Sequence, residues 1–223
     1  MMGRREINTS WLAMVSRFRD EEDGASLVEL AIVVALFLLI LFGLIDYGRF
    51  AFHVVTTERA LYMGARVATL RTPICSGVPA KNERAGGSTS EYGTSCGANL
   101  NGGNVCISYS VSCPLPANPT GAALEIWRPL AEVLPVDADP DNIRVTYAFD
   151  RNLGFLGGPV VPRVTVEVVP NAVGEALNFR FVTPLGALAA LAMGVANDGS
   201  LAMSVPFRNA SVSMPGEALG SVE

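Results

Sequence analysis

Residues 30 to 45 read LAIVVALFLLILFGLI, without one charged or strongly polar side chain. Back to Leu27 the only interruption is Glu29. A helix rises about 1.5 Å per residue, so the stretch from Leu27 to Ile45 spans roughly 28 Å, one hydrocarbon core. A helix that is apolar all round needs an apolar medium all round, and a chain of 223 residues seldom builds a core that large. The run therefore predicts one transmembrane helix near the N-terminus. A cleaved signal peptide fits poorly, because its apolar region is shorter and ends in a small-residue site. Here the run ends in Gly43-Leu44-Ile45-Asp46-Tyr47-Gly48-Arg49, and acidic residues (Asp20, Glu21, Glu22, Asp23) precede it. Arginines are equally frequent in residues 1–24 and 46–71, so the positive-inside rule does not orient the span.

Cysteine placement does suggest an orientation. Cys75, Cys96, Cys106 and Cys113 all follow the run, and none forms a CxxC pair. An even number on one side of a membrane points to disulfides in an oxidising compartment, with the long C-terminal part outside the cytoplasm. Free thiols are the alternative, and a zinc site lacks its usual close ligand spacing. Cys106 and Cys113 lie seven apart, which on one strand points them to opposite faces, so each is expected to pair elsewhere. The net charge of −5 offers no basic footprint for nucleic acid.

Beyond the run, residues 46 to 71 continue without proline. Gly43, Tyr47, Phe50, Val54, Leu61, Gly64, Ala65 and Ala68 form one stripe at helical spacing; Phe52, Met63 and Leu70 lie opposite, beside Arg59 and Arg66. Thr72-Pro73 ends the pattern, since proline disfavours helix at the residue before it. One helix from about 26 to 71 is expected, roughly 70 Å long. Residues 73–103 read as a loop tied down by cysteines, and 104–112 as a strand. A short helix over 121–134 should be interrupted by Pro129. Further strands are expected at 143–149, 163–169, 176–182 and, last, 200–207, before a polar tail. The apolar stretch 184–196 is too short to span a membrane. The fold class is α+β: a long N-terminal transmembrane helix with a small antiparallel β domain. The divisions are 1–24, 25–71 and 72–223.

Nothing in this outer domain has the pattern of an active site, and no enzyme, metal or cofactor is expected. His53 reads as a polar position on a helix surface. Asp137, Asp139 and Asp141 lack the glycine and distal Glu of an EF-hand, and the Gly-rich stretches lack the lysine of a phosphate loop. The competing reading is a single-pass anchor for a ligand-binding, sensor or enzymatic domain.

The most informative segment is Asp23-Gly24-Ala25-Ser26-Leu27-Val28-Glu29-Leu30. A carboxylate stands five positions after a glycine, at the head of a membrane span. This resembles a type IV prepilin processing site. With Glu58-Arg59-Ala60 and Gly64-Ala65-Arg66, residues 24 to 70 resemble the TadE-like family, the minor pseudopilins of the Tad (Flp pilus, tight-adherence) apparatus. Asp46, Gly48 and Arg49 match the acidic-aromatic-Gly-Arg end of the family's span, and Gly64, Ala65 and Arg66 its GAR. Leu30 departs from it, where the family often has Phe or Tyr, and the chain is shorter than relatives with a von Willebrand-type domain.

The resemblance implies a pilin-like fold, with residues 1–24 as a cytoplasmic leader removed by a prepilin peptidase between Gly24 and Ala25. It implies a single-pass protein of the bacterial inner membrane, its C-terminal domain in the periplasm. The expected partners are the lipid bilayer, the peptidase, other Tad pilins or pseudopilins, and inner-membrane Tad assembly proteins. Glu29 would be the fifth residue of the mature chain and pair with the N-terminal amine of a neighbour. An unpaired carboxylate inside a bilayer costs several kcal/mol, so such a pair imposes a register. The alternative is that Glu29 merely marks the bilayer boundary.

Overall fold

A computed structural model of the chain describes residues 22–98, 104–170, 177–185, 204–206 and 210–217. Its dominant element is α1, a continuous helix over Glu22–Leu70. It covers the expected helix from about 26 to 71 to within one residue at its end, and continues back to Glu22. Gly24 disfavours helix by only about 1 kcal/mol relative to alanine, too little to stop propagation into a long proline-free segment. At the other end Arg71 N–H still donates to Val67 O at 3.0 Å, and Pro73 follows. None of the span's most apolar window is buried within the chain. A helix that serves as the core of a soluble domain is mostly buried, so this is a membrane-anchored protein.

The chain forms two compact units. One holds α1 up to Gly48 together with the described residues 182–185; the other holds Arg49 to Phe181 and the described part of 203–223.

The second unit contains the sheet. Strands β1 (Ser110–Pro114), β2 (Ile143–Ala148), β3 (Arg163–Val168) and β6 (Ser211–Pro215) pair antiparallel in the order β1-β2-β3-β6. Strands β4 (Asn178–Arg180) and β5 (Ser204–Pro206) form a separate two-stranded ribbon. Side chains alternate across a strand. One face of the sheet therefore buries Ile143, Val145 and Tyr147 of β2 with Val164, Val166 and Val168 of β3. The other face is polar: Thr146 Oγ1 donates to Ser112 Oγ at 3.2 Å, and Thr165 and Ser213 share a hydroxyl contact of 2.6 Å. The buried face packs with Leu61, Ala65 and Ala68 of α1 and with helix α2 (Gly121–Ala131), whose Ile126 and Leu130 are fully buried.

Several expectations change here. α2 runs through Pro129 to Ala131 instead of breaking. Pro129 sits in the last turn, where it removes one backbone hydrogen bond, and the burial of Ile126 and Leu130 on either side offsets that loss. The strand expected at 104–112 begins only at Ser110, because Cys106 pairs with Arg84 and joins a loop cluster with Cys96, Val105 and Leu156. The strand expected at 176–182 shortens to Asn178–Arg180, and that at 200–207 to the described Ser204–Pro206. The supposed polar tail supplies β6, the fourth strand of the main sheet. Its Ser-Val-Ser-Met alternation is that of an edge strand with one face on the core. Residues 1–21 of the expected leader and most of the apolar stretch 184–196 lie outside the described residues.

Both disulfides form, as Cys75–Cys113 and Cys96–Cys106. Cys106 and Cys113 each pair elsewhere, as their spacing suggested. One bond ties the segment after α1 to β1, and the other closes the loop cluster.

Candidate functional site

The candidate residues lie along α1. Gly24 and Ala25, the expected processing position, are helical in backbone and lie in its first turns. Glu29 is exposed on the apolar run and makes no ion pair among the described residues. An exposed carboxylate flanked by apolar turns is unsatisfied once those turns are in lipid.

Asp46 is different. It is only 4% exposed. Its carboxylate accepts Val182 N–H at 3.3 Å and the Thr183 hydroxyl, so it organises the chain where it returns to α1. Within the same unit Leu185 Cδ1 lies 3.8 Å from where a side chain on Gly43 would begin. Gly48 is exposed with open space around it.

Arg49 is half-buried, its guanidinium carbon 5.7 Å from the centre of the Phe179 ring. Its Nη1 is buried and without a hydrogen-bond partner among the described residues. Phe179, on β4, is the hub of an aromatic cluster: Phe50 and His53 each lie 5.4 Å from it edge-on, and Phe181 5.5 Å. His53 is therefore half-buried and not on an open surface. In the tautomer protonated at Nδ1 it donates to Val133 O at 3.4 Å. Arg49 and His53 border a cleft of about 450 Å³. Its other walls include Pro135, Val136 and Asp137 on one side and Phe179 and Arg180 on the other.

The Gly64-Ala65-Arg66 triplet divides between two environments. Gly64 and Ala65 are buried and Arg66 is exposed. A Cβ on Gly64 would stand 3.4 Å from Ile126 Cγ2 and 3.5 Å from Ile126 O. Small residues here let α1 and α2 approach closely. At the end of α1, Arg71 forms a two-pronged ion pair with Glu125 of α2, at 2.9 and 3.0 Å. Both side chains are about half exposed, so its net contribution is about 0–1 kcal/mol.

The aspartates near Pro140 form a capped turn. Asn142 is buried; its Oδ1 accepts Asp139 N–H at 2.9 Å and its Nδ2 donates to Val169 O at 3.2 Å. Among the described residues no group of three or more His, Cys, Asp or Glu side chains is arranged to hold a metal ion. Sequence reasoning missed Phe179, which lies under Arg49, and Arg180, which lines the same cleft. They lie 130 residues away, and no local signal links them to α1. It did single out Asp46, by motif position, but not its hydrogen bonds to 182–183.

No curated protein and no solved structure matches this chain. One family model does, that of TadE-like proteins, over residues 24–66. The match covers the expected processing position, the apolar run and the Gly64-Ala65-Arg66 triplet. It is consistent with a TadE-like family member over that segment.

Proposed function

We propose that this chain is a minor pseudopilin of a Tad-type pilus and secretion apparatus. It sits in the bacterial inner membrane with its disulfide-bonded sheet domain in the periplasm. A prepilin peptidase removes the leader after Gly24. The mature chain, beginning at Ala25, then works by helix packing and register with other Tad pilins and assembly proteins, and catalyses no reaction itself. The observation that carries this reading is Glu29: exposed on an otherwise apolar helix, five residues after Gly24, within the matched segment. In lipid that carboxylate needs a cation. The new amine of a neighbouring mature chain supplies one in a single register.

The test is complementation of a deletion strain in the native host, scoring the mature N-terminus by mass and surface pili together. Wild-type protein should begin at Ala25. Glu29→Gln keeps the size and removes the charge, so cleavage should continue while piliation falls. The lost pair corresponds to a few kcal/mol if well buried, and each 1.4 kcal/mol is about tenfold in a subunit contact. An intact leader in a host with an active peptidase, or normal piliation by Glu29→Gln at normal abundance, would refute it.

A further inference from the structure

We propose that the cleft beside Arg49 binds the phosphate-bearing headgroup of an anionic phospholipid. The proposal rests on α1 as a bilayer span and not on leader processing or pilus assembly. The two readings can therefore fail separately.

Charge and hydrogen bonding come first. The lining carries two guanidiniums, Arg49 and Arg180, against one carboxylate, Asp137, with His53 beside them. Arg49 and Arg180 make no ion pair among the described residues. The buried Nη1 of Arg49 donates to nothing there. A buried donor left unmade is costly, and a phosphate oxygen is a matched acceptor for a guanidinium fork. Phe179, stacked under Arg49, holds the guanidinium in place without using its N–H groups.

Depth comes next. Arg49 lies four residues past Ile45 on the same helix, so it stands about 6 Å beyond the end of the apolar run. The headgroup layer of each leaflet is about 5–8 Å thick, which puts Arg49 at the level of the phosphates. Tyr47 and Phe52, 72% and 67% exposed, flank it in sequence, as aromatic side chains do at a membrane interface. Val136, at the lip of the cleft, is fully exposed. An apolar side chain beside two cations suits the boundary between headgroups and acyl chains better than it suits water or a free anion.

The full chain, purified in a neutral detergent, would be offered equal amounts of phosphatidylglycerol and phosphatidylcholine, and separately inorganic phosphate. Native mass spectrometry would count what stays bound. Phosphatidylglycerol should be retained in preference to phosphatidylcholine. Arg180→Gln, an exposed position expected to keep the fold, should lower that preference about tenfold, and Arg49→Lys, which keeps the charge but loses the fork, should lower it too. Equal retention of the two lipids overturns the proposal, as does a preference unchanged in Arg180→Gln. Inorganic phosphate bound as tightly as the lipid would assign the cleft to a free anion and overturn the lipid as well.

Discussion

At the scale of single residues, the positions picked out by the resemblance to TadE-like proteins separate into those that build the fold and those left facing outward. Asp46, Gly64 and Ala65 are spent inside the chain; Glu29, Gly48 and Arg66 face outward. Gly64 gives a graded test of the first kind. Its Cβ position is in ordinary contact range of Ile126, so Gly64→Ala should fold as well as wild type. The helix gains about 1 kcal/mol of intrinsic propensity, which offsets any tightening. Gly64→Leu has to displace Ile126 and Leu130, both fully buried, and should cost about 1–3 kcal/mol. Thermal unfolding of the two variants in detergent checks this ranking. A destabilised Gly64→Ala would mean that the helices already touch without slack.

Among the elements, α1 is the part that local patterning describes best, and the loop after it the part described worst. Residues 72–98 contain no strand or helix, and disulfides do much to hold them. The Cys75–Cys113 bond closes a separation of 38 residues and Cys96–Cys106 one of 10. Loop-closure entropy grows with the logarithm of loop length, so the longer link should stabilise more, by about 1 kcal/mol. Replacing Cys75 and Cys113 together by alanine should therefore lower the unfolding midpoint further than replacing Cys96 and Cys106. Denaturant titration of both double variants decides it; the reverse order would show that packing of the loop cluster outweighs chain entropy.

For the molecule as a whole, alkaline pH probes the sheet domain. Burial pushes Tyr109 from 10.0 up to about 12. Burial raises Tyr147 as well, opposed in part by Ile74 N–H donating to its hydroxyl. The unfolded chain releases these protons near pH 10, while the folded chain keeps them longer. The folded state then binds more protons, so stability is unaffected below pH 10 and falls as pH rises from 10 toward 12. Tyrosinate absorbance of the full chain, read beside circular dichroism, should show Tyr109 and Tyr147 ionising only as the sheet unfolds. Ionisation of both near pH 10 in a still-folded protein would contradict this.

Three features were legible without coordinates because each rests on local chemistry. A lipid-length apolar run needs no partner to declare itself. The Gly24-to-Glu29 spacing is a property of consecutive residues. The strands at 143–149 and 163–169 alternate cleanly, since one face meets a core and the other water. The disulfide partners, the edge strand Ser211–Pro215 and the cleft joining Arg49 to Phe179 and Arg180 were decided only by tertiary structure. Each depends on segments tens to more than a hundred residues apart. Their free energy comes from burial and hydrogen bonds made when those segments meet, and such meetings leave little mark on the local sequence. Asp46 shows the same division within one side chain: its place at the end of the span is local, but its hydrogen bonds to 182–183 exist because the chain comes back.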